Sequence, residues 1–516
     1  MHPEIAAYIE RETGTLTDFI AIHAEHQPDK PALVHEGRVL SYGELLDAMN
    51  RFAVSLQKAG LKPKDSVAMC AVNSANYAIA FLGTLLAGMT VAPLAPSSTP
   101  DDLIGMIDDS GATLFFTDKT SHDALATRLE GHPVRVFRFD TEGKGSFDAF
   151  LAAPGAKPAP VDIDPDQAFN IIYSSGTTGT PKGIVQSHRM RWAHTRPVEP
   201  VGFGPDAVTL LSTPLYSNTT LVAFIPTLSG GGTVVLMSKF NTENYLKLAE
   251  KWRVTHTMLV PVQYQRMMDF EDFDKYDLSS FEMKLCTSAP FNAALKAEVL
   301  KRWPGGLTEY YGMTEGGGSC GLECHTYPDK LHTVGQPLPG HDIRIIDENG
   351  KELPPGETGE IVGASGAIMN GYHNRPDKTK ETEWYSPEGV RFIRTGDVGR
   401  FDEDGFITLM DRKKDMIISG GFNIYPSDIE HLLRQNEDIT DVAVVGVESR
   451  EWGETPVAFV VLKPGSTETP DSIKTWANDQ LGKTQRVSDV IIRHDLPRSA
   501  IGKILKRELR DIYAAQ

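Results

Sequence analysis

Short apolar strands alternate with helix-length segments over much of this chain, and this alternation most constrains its fold. Helices are predicted over 42–60 and 74–88, and apolar strands over 66–71, 90–93, 112–116, 208–212, 233–237, 257–260 and 284–287. Strands that alternate with helices usually pair in parallel, because the helix returns the chain across the sheet. The sequence therefore predicts an α/β fold in which helices cover largely parallel sheets.

The length and a change of pattern predict two domains. The chain has 516 residues, which is more than one hydrophobic core usually serves. Near residue 357 the pattern changes to short strands and Gly/Asp turns, which predicts a β-rich patch. A unit of mixed helix and strand follows. We expect a large N-terminal domain, residues 1–411, and a small mobile α+β C-terminal domain, residues 412–516.

Charge and cysteine content exclude several classes of partner. The formal net charge is −18, which disfavours nucleic acids and anionic membranes. Four cysteines suit a reducing compartment, so a cytoplasmic location is expected. Cys320 and Cys324 lack the further ligands of a zinc site. The acidic start does not resemble a signal peptide.

One uncharged segment, residues 77–96, is long enough to cross a bilayer. Its glycines and its late prolines favour another structure, namely a buried helix to about residue 88 followed by a buried strand. We therefore expect no membrane insertion.

A loop of small hydroxyl residues follows the apolar run at 169–172. The segment 173–183 reads YSSGTTGTPKG. Glycines let backbone N–H groups approach an anion, hydroxyls add donors, and a lysine adds charge, so the loop suits a triphosphate. It is not a Walker A motif, because Pro181 precedes Lys182. Local chemistry alone leaves phosphate binding and a flexible polar loop equally open.

The wider pattern resembles the acyl-adenylate-forming superfamily, which includes acyl- and aryl-CoA synthetases, carrier-loading adenylation domains and beetle luciferases. The phosphate loop is followed, in the family's order, by Tyr311-Gly-Met-Thr-Glu315, Gly359-Glu-Ile, Thr395-Gly-Asp397, Asp411-Arg412 and Gly502-Lys503. Together these motifs cover nearly the whole chain. The resemblance implies activation of a carboxylic acid by ATP and Mg²⁺, followed by transfer to coenzyme A.

The resemblance implies a role for each motif residue. Glu315 would bind Mg²⁺ and, with Thr178 and Lys503, carry catalysis, and Asp397 and Arg412 would hold the ribose. Tyr311 would stack on adenine, although Tyr310 beside it could be confused with it. The remaining nucleotide contacts would come from Ser174, Ser175, Gly176, Thr177, Gly179, Lys182, Ala289, Pro290, Gly312, Met313 and Thr314.

The acyl and thiol sites follow from the same resemblance. The acyl pocket would include Tyr216, Ser217, Thr220, Ser288, Gly312 and Gly317. Many relatives carry histidine at the position of Ser217, so the shape of the pocket differs here. Lys414 would be the hinge of the C-terminal domain, and the pantetheine tunnel would be lined by Ser419, Gly420, Gly421 and Phe422.

The substrate and the acceptor are less constrained. No acidic residue lies in 213–220, where relatives that activate amino acids place an aspartate. We expect an aromatic or short- to medium-chain aliphatic acid, and an enzyme that is a monomer or homodimer. The alternatives are an adenylating enzyme that loads a separate carrier protein and a non-enzymatic nucleotide-binding protein. A kinase would release ADP instead of AMP.

Overall fold

The computed structural model describes residues 2–174, 181–196, 201–412, 415–419, 422–449, 452–482, 485–499 and 502–515. Residue contacts divide the chain into two compact units. The first comprises Met1–Leu331, Pro337–Asp342 and Gly363–Ile393, and the second comprises His332–Gln336, Ile343–Val362 and Arg394–Gln516. The boundary predicted between residues 411 and 412 stays a prediction.

The phosphate-loop sheet is mostly parallel, with antiparallel strands at one side. Its strands, in order across the sheet, are Gly371–Tyr372, Lys182–Ser187, Ala168–Ser174, Thr90–Pro93, Ser66–Cys70, Leu114–Thr117 and Arg135–Arg138. The central strands are buried on both faces, as parallel strands covered by helices must be.

A second sheet is parallel through its middle. Its strands lie in the order Gln336–Pro337, Cys320–Glu323, Gly306–Tyr311, Met283–Cys286, His256–Leu259, Val208–Leu211, Thr233–Leu236, Pro31–His35 and Arg38–Ser41. The predicted strands at 208–212, 233–237, 257–260 and 284–287 all lie in it, each displaced by a residue or less at either end.

The β-rich patch predicted from about residue 357 is a separate, smaller sheet. Its strands are Asp342–Ile346, Gly359–Ala364, Arg391–Phe401, Glu383–Tyr385 and Ile407–Arg412. The last sheet belongs to the C-terminal part of the chain and comprises Phe422–Ile424, Ile417–Ser419, Gly453–Leu462, Ile439–Ser449 and Asp489–Arg493. Three helices accompany it, namely Pro426–Leu433, Pro470–Asn478 and Lys506–Ala514.

Most helices of the first unit begin where a side chain caps the first turn. Before Tyr42–Lys58, the Ser41 hydroxyl accepts the Glu44 N–H at 3.3 Å, and the Glu44 carboxylate accepts the Ser41 N–H at 2.9 Å. The other helices are Pro3–Ile9, Leu16–His26, Ala75–Leu86, Pro100–Ser110, Lys119–Leu129, Phe147–Phe150, His188–Thr195, Asn218–Ser229, Thr242–Lys251, Pro261–Met268, Ala293–Arg302 and Pro376–Glu381. Short 3₁₀ turns lie at Phe273–Lys275 and Pro328–Lys330.

The uncharged segment 77–96 folds as the sequence predicts. It forms most of the buried helix Ala75–Leu86 and then the buried strand Thr90–Pro93. Across the described residues, the helices are all too short or too polar to cross a bilayer.

Candidate active site

The two ends of the hydroxyl loop lie side by side. Strands Ala168–Ser174 and Lys182–Ser187 are antiparallel, and Ser174 is the register partner of Lys182. The predicted phosphate contacts Ser175, Gly176, Thr177, Thr178 and Gly179 lie outside the described residues. The described strands thus fix where the loop starts and ends.

Tyr372 connects the lysine of this loop to the predicted metal ligand. The Tyr372 hydroxyl donates to Glu315 Oε1 at 2.8 Å. Lys182 Nζ lies 5.0 Å from the centre of the Tyr372 ring, in a cation–π arrangement. Burial, and then the Glu315 carboxylate, raise the pKa of Tyr372 well above its usual value. Tyr372 therefore remains a proton donor to Glu315 at physiological pH.

The backbone around Glu315 is held by close contacts between segments. The Glu315 carbonyl accepts the Met369 N–H at 2.9 Å, and Gln186 Nε2 donates to the Thr314 carbonyl at 2.6 Å. At Gly316 φ is +73°, and a Cβ would lie 2.1 Å from the Ala367 carbonyl oxygen. Only glycine permits that approach. Met313 packs nearby on a small apolar cluster that includes Tyr372.

Adjacent tyrosines end the strand Gly306–Tyr311. Successive side chains of a strand point to opposite faces, so only one of the two can face a given site. Tyr311 is 9% exposed, and burial raises the pKa of Tyr310 to about 12, with a smaller effect of Glu323. The assignment of adenine stacking to Tyr311 stays a prediction, as do the roles of Ala289 and Pro290.

The predicted acyl-pocket residues come from three segments of the first unit. Ser217 caps the helix Asn218–Ser229, where its hydroxyl accepts the Thr219 N–H at 3.3 Å. Thr219 Oγ1 lies 2.5 Å from the hydroxyl of Ser288, whose φ of +83° is unusual for a residue with a side chain. Gly312 leaves room for Ser319, because a Cβ at Gly312 would lie 2.8 Å from Ser319 Oγ.

The other predicted pocket residues are buried or partly buried. Burial, followed by a smaller effect of Cys70, raises the pKa of Tyr216 to about 12, although a hydrogen bond with Ser97 acts in the opposite direction. Thr220 is fully buried, and its hydroxyl lies 2.6 Å from the Pro214 carbonyl. Gly317 is buried with φ of +89°. The pocket assignments stay predictions.

The predicted ribose ligands lie opposite each other in the second unit. Asp397 and Arg412 are register partners of antiparallel strands. The Asp397 N–H donates to Thr395 Oγ1 at 3.0 Å, beside Gly396, whose φ is +70° within the strand Arg391–Phe401. Nearby, Arg394 pairs with the buried carboxylate of Glu360, through Nε to Oε1 at 3.2 Å and a shorter contact from Nη2 to Oε2. The two motif residues are thus brought together by strand register.

Lys503 lies in a tight turn before the last helix. Its N–H donates to Ser499 Oγ at 3.2 Å, and its carbonyl accepts the Ser499 N–H at 2.8 Å. Gly502 has φ of +77°. Arg498 donates from Nη1 to the Gly502 carbonyl at 2.8 Å and pairs through Nη2 with Asp441. The turn therefore fixes the backbone that carries Lys503.

The thiol tunnel and the hinge are only partly described. Ser419 is buried at the end of strand Ile417–Ser419, where its register partners are Phe422 and Gly453. Gly420, Gly421 and the hinge Lys414 lie outside the described residues.

The sequence interpretation missed Tyr372. It lies in a segment, Gly371-Tyr372-His373, that carries no charge cluster and no glycine-rich pattern. Its importance comes from the strand Gly371–Tyr372, which pairs beside Lys182–Ser187 and places the ring between Lys182 and Glu315. An aromatic residue after glycine was the only signal available.

Family models match most of the chain. The model described as AMP-binding enzyme matches residues 20–373, and the AMP-binding enzyme C-terminal domain matches residues 428–503. The chain belongs to the AMP-binding enzyme family. Membership confirms the resemblance inferred from the motifs, and it makes the protein an ATP-dependent, AMP-forming ligase.

Similar proteins match over nearly their whole lengths. A fatty acid–[acyl-carrier-protein] ligase, ScoC, of Streptomyces coeruleorubidus is 32% identical over 97% of this chain and 96% of its own. A feruloyl-CoA synthase of Amycolatopsis is 33% identical over 94% and 96%. ATP-bound MatB from Rhodopseudomonas palustris has a TM-score of 0.85 at 30% identity, over 96% of this chain and 99% of its own. This likeness confirms the predicted α/β fold class.

Proposed function

We propose that this family member activates an aromatic or short- to medium-chain carboxylic acid and transfers the acyl group to coenzyme A. In the first step a carboxylate oxygen attacks the α-phosphorus of ATP, the bond to the departing pyrophosphate breaks, and an acyl-adenylate forms. In the second step the thiolate attacks the acyl carbon and AMP leaves. Adenylation is needed because a free carboxylate would have to expel oxide.

The observation that carries the proposal is the grouping of Glu315, Tyr372 and Lys182 at the base of the hydroxyl loop. A triphosphate bound by that loop would lie beside one cation and one carboxylate. Lys182 offsets phosphate charge. Glu315 repels phosphate unless a cation lies between them, so its presence beside a phosphate loop favours a metal-dependent nucleotide site.

The residues fit Mg²⁺. Magnesium prefers oxygen ligands and uses one or two carboxylates together with phosphate oxygens. Glu315 offers such a carboxylate, and the hydrogen bond from Tyr372 to Oε1 orients it. When bound, the ion would neutralise charge on the phosphates. Glu315 would hold it, and Tyr372 would keep Glu315 in position.

The second unit would complete both half-reactions. Asp397 has acceptors for both ribose hydroxyls. Lys503 would place an ammonium between the substrate carboxylate and the α-phosphate, which offsets the repulsion between two anions. Ser419 and the glycines after it would line the path of the pantetheine chain. Rotation about Lys414 would exchange the two arrangements.

The names of relatives support the aromatic and the aliphatic parts of the proposed substrate class, without supporting its short to medium chain length. They include feruloyl-CoA synthase, 4-coumarate–CoA ligase of Narcissus pseudonarcissus and long-chain-fatty-acid–CoA ligase of Salmonella typhimurium. All three are named for coenzyme A, so free coenzyme A is the proposed acceptor. The four cysteines are free and buried, which suits the proposed cytoplasmic location. A monomer or homodimer stays the proposed assembly.

A second candidate is a ligase that loads a carrier protein. ScoC, which is named for an acyl-carrier-protein substrate, matches over 97% of this chain. The two candidates share the adenylation step and differ only in the acceptor thiol.

The acceptor is tested by measuring AMP and thioester formation with ATP, Mg²⁺ and an acid panel. We expect free coenzyme A to accelerate AMP release and to yield acyl-CoA. Acceleration only by a phosphopantetheinylated carrier protein would favour the alternative. Release of ADP would contradict adenylation altogether.

A further inference from the structure

A buried arginine is linked through Gln186 to the Tyr-Gly-Met-Thr-Glu segment. Arg191 belongs to the helix His188–Thr195 and is 1% exposed. Its guanidinium lies over the Phe169 ring, 5.6 Å from the centre. An arginine is rarely buried without a carboxylate partner, because removing its charge from water is costly.

Two side-chain amides hold this arginine in one orientation. Arg191 donates to Asn170 Oδ1 from Nε at 3.2 Å and from Nη2 at 3.1 Å. Nη2 also donates to Gln186 Oε1, which accepts Asn170 Nδ2 at 2.9 Å. The amide oxygens therefore face the guanidinium, and the side chain cannot turn without breaking the network.

The network leaves one end of Arg191 without an acceptor. Nη1 is closed to solvent and has no hydrogen-bond partner in the part of the chain that the structure describes. No carboxylate of that part compensates the charge, and burial alone lowers the pKa of Arg191 to about 9. The group is thus still cationic at neutral pH, with an unused donor and, among the described residues, no counter-ion. Such a site is completed by an anion.

Two imidazoles lie beside the arginine. His194 is three residues further on the same helix, hence on the same face. Burial, then Arg191 and His341, lower the pKa of His194 to about 3, so the ring stays neutral. Its Nδ1 is closed to solvent and, within the described residues, has no partner. His341 Nδ1 accepts the Ser319 N–H at 2.9 Å, so a neutral His341 carries its proton on Nε2 and can donate it.

Hydrogen bonds connect this group to the predicted acyl pocket. Gln186 Nε2 donates to the Thr314 carbonyl at 2.6 Å and lies 3.5 Å from Asn218 Oδ1, next to Ser217. On the other side, His341 holds Ser319, which fills the space beside Gly312. His194 and His341 both keep some solvent exposure. The group is therefore linked by hydrogen bonds to residues that adjoin the predicted acyl pocket.

We propose that Arg191, with His194 and His341, binds a second carboxylate of the acid substrate, remote from the carboxylate that is adenylated. The inference rests on the proposed function and narrows its substrate class to acids with a distal anionic group. The expected aromatic or aliphatic group would then be the part of the substrate that joins its two carboxylates.

The proposal is tested with matched acids. Straight-chain monocarboxylates of increasing length are compared with the dicarboxylates of the same length, and benzoate with benzene-1,4-dicarboxylate. The measured quantity is kcat/KM for acid-dependent ATP–pyrophosphate exchange. We expect a dicarboxylate of fitting length to exceed its monocarboxylate by about tenfold or more, as one charge-assisted pair would give.

Variants locate the effect at the proposed site. Arg191→Met should lower kcat/KM for that dicarboxylate by about 10- to 100-fold and leave the monocarboxylate nearly unchanged. Arg189→Met is the matched control, because Arg189 lies on the same helix and loses an exposed pair with Asp166. It should change neither. If Arg191→Met does not fold, Arg191→Lys and His194→Leu replace it and should weaken the dicarboxylate selectively.

The outcomes separate this inference from the proposed function. The inference would be overturned if Arg191→Met lowered kcat/KM equally for the monocarboxylate and the dicarboxylate, or if the wild-type protein never preferred a dicarboxylate. Neither result would contradict the proposed adenylation. Absence of exchange with every acid would contradict the proposed function. Thermal shifts with the acids alone then test the inference separately, and equal shifts for both classes would overturn it.

Discussion

The surroundings of Glu315 and of Lys503 are built differently. Glu315 is fixed by long-range contacts, since Tyr372 holds its carboxylate and Met369 its backbone. The backbone of Lys503 is fixed by bonds to Ser499, and Arg498 ties the turn to Asp441. Long-range contacts suit a group that serves throughout a reaction. A segment whose backbone is held by local bonds can carry its lysine as a unit, which would suit the proposed use of Lys503 in only one step.

The largest expected effect is the loss of adenylation when Lys503 is replaced. Lys503→Ala should lower adenylation by about 100- to 1,000-fold, the cost of removing one transition-state charge partner. Thioester formation from supplied acyl-adenylate should persist. The two half-reactions are measured separately, by pyrophosphate exchange and by acyl-CoA production. Equal loss of both would show that Lys503 is not specific to adenylation.

The long-range packing of the first unit should make it sensitive to acid. His188 is 5% exposed, and burial lowers its pKa to about 4 from 6.5. As pH falls, the imidazole of His188 is protonated in the unfolded chain before it is protonated in the folded protein. The contribution of neutral, buried His188 to the free energy of unfolding is therefore complete above pH 6.5 and is lost as pH falls towards 4. The contribution is about 3 kcal/mol. Denaturant unfolding of His188→Phe should show a weaker loss of stability between these pH values, whereas an unchanged pH dependence would contradict the assignment.

Removal of the Tyr372 hydroxyl tests whether this tyrosine orients Glu315 for Mg²⁺ binding. Tyr372→Phe should raise the Mg²⁺ concentration for half-maximal exchange by about tenfold, because an orienting hydrogen bond to Glu315, the proposed Mg²⁺ ligand, is lost. Tyr385→Phe is the control, since the exposed Tyr385 hydroxyl donates to Glu383 at 3.1 Å, away from this group. A lower rate with an unchanged Mg²⁺ requirement would remove Tyr372 from the metal site.

The smallest expected effect concerns the turn itself. Arg498→Met removes the bonds to Gly502 and Asp441, and should reduce adenylation about threefold to tenfold while sparing thioester formation. Arg434→Met, which breaks the pair between Glu430 and Arg434 at the end of the helix Pro426–Leu433, should change neither step. A larger effect on thioester formation would mean that the turn matters in the second step.

Much of the fold could be predicted because its signals are local. The strand Thr90–Pro93 matches its predicted range, and Tyr42–Lys58 ends two residues before the predicted end. The ends of other helices and strands differ from the predicted ends by a residue or two, since the end of a strand depends on where its partner strand stops pairing. The division into two contact units could not be predicted from the sequence. The second unit combines segments that are separated in sequence, including 343–362 and 394–411.

The site could be predicted only where a motif is contiguous. Glu315, Asp397 and Lys503 lie in short patterns, and their assignments stay predictions. Tyr372 and Arg191 depend on pairings between distant segments, so no spacing in the sequence indicates them. The choice between Tyr310 and Tyr311 depends on the face of a strand, which adjacent aromatic residues leave open.

The most direct test of the central claim is carboxylate-dependent ATP–pyrophosphate exchange without coenzyme A, over aryl, aliphatic and dicarboxylic acids. Adenylation is reversible and needs no thiol, so the account predicts exchange with at least one class of acid and its loss in Lys503→Ala. Exchange that persists at the wild-type rate in Lys503→Ala, or ADP formation in place of exchange, would contradict it.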